Sequence, residues 1–280
     1  MATNRILYST QSGTVDGSNV LIQSASCENS IPLEDVMALG KLGPYTRAQK
    51  EVASCKADLK IYAQAGLGTL VSSLVSKATA GTQSAIIVTP NGFSMTGMLS
   101  NFSIDVAKGD FIMASMSFAG MGLATMGTTN LASETPTNGS PAAFTPITTD
   151  SVTVSGSPSC PTSLKFSYEI PTEIISCIGA TVTGTQAQII ESNTMIGKVP
   201  YKGSITLEGL TLDTSQAGTT YSAFSIGTAT GNDTALVSNN SVISVNITDA
   251  ATVSRSFNQA AGDLGANYSF NVDGSTVTIS

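Results

Sequence analysis

Ser54-Cys-Lys-Ala-Asp-Leu-Lys-Ile-Tyr-Ala63 decides the fold class, because Cys55, Ala57, Leu59, Ile61 and Ala63 alternate with polar, charged or amphipathic neighbours. A period of two marks a strand with one face buried and one wet. The pattern returns at Leu164, Phe166, Tyr168 and Ile170, and more briefly at Ile205 and Leu207. Turn residues separate the runs. Ala107-Lys-Gly-Asp110 is expected to join the strand of Phe102, Ile104 and Val106 to that of Ile112, Met116 and Phe118. Asp273-Gly274 is expected to join Tyr268, Phe270 and Val272 to Val277 and Ile279 as a hairpin. One segment departs from alternation: Leu67, Leu70, Val71, Leu74 and Val75 fall on one face of a helix. The expected class is all-β, with one amphipathic helix packed on a sheet.

At 280 residues the chain exceeds the roughly 150 residues of an average domain, so two units that each bury a core are expected. Residues 123 to about 150, with Pro136, Pro141 and Pro146 among Thr, Ser, Asn and Gly, read as an extended linker. The expected division is therefore 1–125, a linker at 126–150, and 151–280.

Only 11% of residues are charged, well below the roughly 25% of ordinary soluble domains. Few charges give little resistance to packing against further copies, so assembly is favoured over a free monomer. The net charge of −7 argues against a bulk electrostatic grip on nucleic acid, which needs many cations to neutralise phosphates. Five of the 12 cations, Lys41, Arg47, Lys50, Lys56 and Lys60, crowd one stretch. They read either as a solvated face or loop, or as a basic strip docking on an acidic patch of a neighbour.

The N-terminal residues carry no run resembling a signal peptide, and no segment approaches 18 consecutive apolar residues, so no membrane segment and synthesis in the cytoplasm are expected. Cys27, Cys55, Cys160 and Cys177 are widely spaced without a CxxC pair. Mostly buried, reduced thiols are expected, with a disulfide between neighbouring subunits left open.

The two halves match in part. Ile31-Pro-Leu-Glu-Asp-Val-Met-Ala-Leu-Gly40 aligns without gaps on Ile170-Pro-Thr-Glu-Ile-Ile-Ser-Cys-Ile-Gly179. A polar loop follows each block, then an alternating strand (Leu59 and Ile61 set against Ile205 and Leu207), then a late hairpin. In that hairpin Ser103, Ala107, Gly109 and Asp110 match Ser256, Ala260, Gly262 and Asp263, and Ser117-Phe118 matches Ser269-Phe270. Chance likeness between two Ser/Thr/Gly-rich β segments is the competing explanation; tandem duplication of one small β unit is the favoured one.

Catalytic chemistry finds little support. Histidine is absent, which removes His-activated nucleophiles and imidazole metal sites. Gly66-Leu-Gly68 lacks the further glycine of a dinucleotide fingerprint, and no phosphate-cradling P-loop is present. Glu34 and Asp35 are adjacent, and Glu34 recurs as Glu173, which suggests a structural job such as capping a short helix after Pro32. No catalytic residue, cofactor or metal is expected.

The run from Ser24 to Arg47, followed by the Cys55–Ala63 strand and the Asn101–Asp110 hairpin, resembles tail tube proteins of tailed bacteriophages. The likeness covers most of 20–122, with a fainter version over 160–280. It implies small β-sandwich or barrel units with one flanking helix, assembled into stacked rings around a lumen, and a long loop reaching the next ring. On that likeness Lys41, Tyr45, Arg47 and Lys50, in the polar loop from about Lys41 to Ser54, and Lys198 and Lys202, in the loop from Ala180 to Lys202, are the inter-ring contacts. Two units per chain imply three chains per pseudo-hexameric ring, with six chains per ring as the fallback. Sheath, tape measure, terminator and baseplate proteins are the implied partners. The implied location is the virion tail, with DNA passing through the lumen without specific binding. The competing classes are a virion decoration or adhesion β-module binding a receptor or glycan, and a carboxylate-based glycosidase. The absence of Trp and an aromatic content of 6% weigh against both.

Overall fold

The computed structural model describes residues 12–49, 51–63, 66–89, 92–107, 112–126, 152–154, 161–175, 194–197, 202–209, 223–226, 243–247, 250–260, 263–273 and 277–279. The first half contains β1 (Ser12–Val15), β2 (Ser18–Val20), β3 (Ile22–Ser30), β4 (Leu33–Met37), β5 (Pro44–Gln49), β6 (Ser54–Tyr62), α1 (Leu67–Thr79), β7 (Ser84–Thr89), β8 (Phe93–Ala107), β9 (Met113–Met121) and β10 (Thr125–Met126). The second contains β11 (Val152–Val154), β12 (Pro161–Glu169), β13 (Thr172–Ile175), β14 (Thr194–Gly197), β15 (Lys202–Gly209), β16 (Ala223–Ile226), β17 (Ile243–Ile247), β18 (Ala250–Ala260), β19 (Asp263–Asp273) and β20 (Val277–Ile279). The class is all-β with one helix among the described residues, as the alternation requires.

One antiparallel sheet runs through both halves in the order β3-β6-β9-β8-β12-β15-β19-β18. Its middle strand, β8, is 15 residues long and belongs to two sheets. Phe93–Gly97 pairs with β7 and β10, whereas Met98–Ala107 pairs with β9 and β12. The changeover needs glycine. A Cβ on Gly120 would run into the Thr96 carbonyl oxygen and the Cys55 sulfur, and one on Gly97 would come within 2.9 Å of the Ala119 carbonyl oxygen.

The core lies between these sheets and α1. Ala57, Leu59 and Ile61 of β6 are buried with Phe102, Ile104 and Val106 of β8, Met116 and Phe118 of β9, and Leu164, Phe166 and Tyr168 of β12. Across the β8–β12 joint, the Phe102 and Phe166 rings meet edge-on at 6.4 Å. The expected stripe on α1 is borne out: Leu67, Leu70, Val71 and Leu74 are buried, and Val75 packs beside them. Gly66, in the left-handed region at φ 83°, turns the chain into the helix. Lys77, in the last turn, reaches Asp16 at 2.5 Å and ties the helix to the β1–β2 turn.

Three sequence expectations change. The expected pairing of the two strands flanking Asp273-Gly274 is not found: β19 has β15 and β18 on its two edges, and β20 pairs with β17 in the smaller sheet β11-β16-β17-β20. No helix follows Pro32; Leu33–Met37 is strand β4, which pairs with β5, and Glu34 lies opposite Ala48 within that hairpin. Within the Lys41–Ser54 stretch, Pro44–Gln49 is strand β5 rather than loop. Of the expected linker, Thr125–Met126 still pairs with β8, and 127–150 lie outside the described residues.

The pairing pattern of the first half recurs in the second. The order β3-β6-β9-β8 returns as β12-β15-β19-β18, and β1-β7-β8-β10 returns as β11-β16-β17-β20. The hairpin β4–β5 has its counterpart in β13–β14. Irregularities recur too. The β3–β6 ladder shifts between Ile22 and Ser24, as the β12–β15 ladder does between Pro161 and Ser163. The β8–β9 ladder shifts between Leu99 and Asn101, as the β18–β19 ladder does between Thr252 and Ser254. Bulges are built-in features that set strand direction. The registers also correct one alignment. Ser24 faces Lys60 where Ser163 faces Glu208, so Ala57 and Leu59, rather than Leu59 and Ile61, correspond to Ile205 and Leu207.

Candidate assembly surfaces

Along β6, β8, β9 and β12 the long sheet buries one face and leaves the other open. On the open face, β6 presents exposed Lys56, Asp58 and Lys60, β8 exposed Asp105, and β12 exposed Lys165 and Glu169, interleaved with Ser26, Ser103, Ser115, Ser117 and Ser167. Opposite charges face each other across strands, with Glu28 opposite Lys56 and Asp105 opposite Lys165. Ser117 donates its hydroxyl proton to Asp58 Oδ1 at 2.6 Å. Paired charges spread among hydroxyls give a hydrophilic face without a strong field of either sign. A shallow groove of about 430 Å³ crosses it, bordered by Lys60, Tyr62, Asp105, Ser115 and Lys165.

The hairpin β4–β5 stands apart in its own two-stranded sheet and carries the most exposed apolar residues of the described chain. Leu39 and Leu42 at its tip are fully exposed, and Leu33, Met37 and Tyr45 are more than half exposed. Arg47 Nε donates to Asp35 Oδ1 at 2.8 Å across the hairpin, and Lys41 Nζ sits 5.3 Å from the centre of the Tyr45 ring. These polar contacts hold the hairpin's shape while leaving the leucines without partners.

The structure brings Lys41, Tyr45 and Arg47 together on this hairpin. Lys50 and Lys198 lie outside the described residues. Lys202 is no loop residue; it opens β15, opposite Glu169 and Asp273. The crowd of cations is not one strip either, since Arg47 is engaged by Asp35 on the hairpin, whereas Lys56 and Lys60 belong to the open face with Asp58 between them. Leu42 falls within the stretch expected to be a polar loop and Leu39 lies just before it, in the Ile31–Gly40 block; neither is marked by the sequence as a bare apolar residue.

Two further surfaces are the ends of the long sheet. Among the described strands, β3 pairs only with β6, and β18 only with β19. Cys27 on β3 is half-buried, and Cys55 on β6 is buried; both are free thiols. Burial, with the neighbouring Cys27, pushes the Cys55 thiol up to about 11, and burial raises that of Cys27 as well. Cys160 and Cys177 lie outside the described residues.

No helix among the described residues is long and apolar enough to cross a membrane. No family model matches the chain, and neither does any curated protein. Among solved structures, the Dit protein (gp 19.1) of SPP1, titled a paradigm of the hub adsorption apparatus in phages infecting Gram-positive hosts, aligns over 94% of this chain and 98% of its own. The TM-score is 0.26 at 11% identity, too low a likeness to carry any part of the argument.

Proposed function

We propose that this chain is a non-enzymatic structural protein that polymerises with its own copies into the hollow tail tube of a tailed bacteriophage. The observation that carries the reading is the open sheet itself, polar and serine-rich on the exposed face of β6, β8, β9 and β12, and ending on each side in a strand with one partner among the described strands. Unpaired edges are a liability in a monomer and are satisfied when copies close into a ring. A hydroxyl-rich wall with balanced charge lets a polyanion slide past without a specific grip.

In this reading 1–125 and 151–280 are two copies of one tube unit, joined by 126–150, and the recurrence of strand order and bulges supports that division. Three chains then make a pseudo-hexameric ring, and the β4–β5 hairpin with Leu39, Lys41, Leu42, Tyr45 and Arg47 reaches the next ring. The product is a virion tail component whose other contacts are tail proteins.

Electron microscopy of the purified protein across a concentration series tests the reading. Rings or tubes with a hollow centre are expected. A stable monodisperse monomer at high concentration would favour a decoration or adhesion module instead.

A further inference from the structure

The chain contains its own template for a joint between chains. Inside it, β8 of the first half is joined to β12 of the second in antiparallel register, from Ser163 opposite Ala107 to Glu169 opposite Asn101. The Ile170 N–H extends the joint by donating to the Ser100 carbonyl at 2.9 Å. By strand order and bulge position, β3 is the counterpart of β12, and β18 is the counterpart of β8. In the long sheet these are the two end strands, each with one neighbour among the described strands.

We infer, on the assembly reading above, that β18 of one chain pairs antiparallel with β3 of a second copy, from Ala260 opposite Ser24 to Ser254 opposite Ser30, and that the Ile31 N–H donates to the Val253 carbonyl. The bulges fix this register. Ser24 follows its ladder shift as Ser163 does, and Ser254 follows its own as Asn101 does.

Burial supplies an independent reason. Leu164, Phe166, Tyr168 and Ile170 are at most 2% exposed in the internal joint. Their counterparts Ala25 and Asn29 are exposed, Cys27 is half-buried and Ile31 is 38% exposed. The same positions are thus covered where β8 lies beside them and bare where no strand does.

The edges are also lightly guarded, with one charge on each, Glu28 and Arg255. Lys and Pro, which commonly block strand addition, are absent from Ile22–Ser30 and from Ala250–Ala260. Because the two edges differ, each association is head-to-tail and leaves one free edge of each kind, so it ends only by closing into a ring.

Hydrogen exchange on the native chain, compared below and above its assembly concentration, tests the surfaces. Amides of Ala25, Cys27, Asn29 and Ile31, and of Arg255, Phe257 and Gln259, the ones that point to the new partner strand as the Ile170 N–H points to Ser100, should slow roughly tenfold or more on assembly. Register is read by oxidising mixtures of single-cysteine additions, in which wild-type thiols give a common background. S26C mixed with N258C and S24C mixed with A260C should cross-link into mixed dimers, and S26C mixed with S254C should do so far less.

Tubes whose β3 and β18 amides exchange as fast as in the unassembled chain, or which cross-link best out of register, overturn this joint and leave the proposed function standing. A wild-type chain that never assembles overturns both.

Discussion

Leu39 and Leu42 offer the sharpest separation between folding and assembly. Both sit at the β4–β5 tip and are fully exposed in the single chain, so replacing them removes no contact within the subunit. A surface change of this kind shifts stability by no more than about 0.5 kcal/mol. If the tip docks on another copy, each leucine contributes roughly 1.5–3 kcal/mol by leaving water. Losing both therefore weakens the contact by at least about 3 kcal/mol, or roughly a hundredfold in association at about 1.4 kcal/mol per decade. The expected outcome for L39S/L42S is an unchanged urea midpoint alongside an assembly concentration raised about a hundredfold, read by sedimentation of polymer from free chain. A double variant that assembles at the wild-type concentration refutes the docking role of the hairpin, and a large drop in the urea midpoint refutes the claim that the tip is free in the subunit.

Other perturbations probe the frame. Phe166→Ala opens a cavity against Phe102 at the β8–β12 joint and should cost about 3–5 kcal/mol, measured by urea denaturation of unassembled protein; a loss under about 1 kcal/mol would mean the joint is not packed. Gly120→Val should prevent soluble expression or lower the melting temperature sharply, because its Cβ meets the Thr96 carbonyl, whereas Gly122→Ala, with open space around it but φ +93°, should cost only about 1 kcal/mol. Cys55 favours the thiol when folded, so the unfolded chain ionises first: its contribution is intact below about 9 and declines as pH rises through about 11. Cys55→Ala should therefore flatten the alkaline fall in stability over that window, and the wild-type thiol should react with a thiol reagent at pH 8 only as fast as the chain unfolds.

Alternation exposed β6, β8, β9 and β12 because each of them has one buried and one wet face, and the i, i+3, i+4, i+7 spacing fixed α1. The same property hid one register. A slip of two residues keeps every side chain on its face, so setting Leu59 and Ile61 against Ile205 and Leu207 looked as good as the true match of Ala57 and Leu59. Asp273-Gly274 carried a valid hairpin signal, but turn chemistry cannot know that both edges of β19 are occupied. Leu33–Met37 and Pro44–Gln49 lack alternation because their hairpin buries neither face, and so β4 looked like a capped helix and β5 like loop. Lys41, Tyr45 and Arg47 are legible as a group, whereas nothing in the sequence marks Leu39 and Leu42 as bare, since apolar residues at this spacing are as often buried.

A density map of the assembled protein, resolved well enough to trace strands, tests the central claim most directly. The account predicts a continuous sheet around a lumen, with β3 of each chain beside β18 of its neighbour and the serine-rich face inward. A particle in which those strands are covered by their own chain, or in which that face points outward, contradicts it.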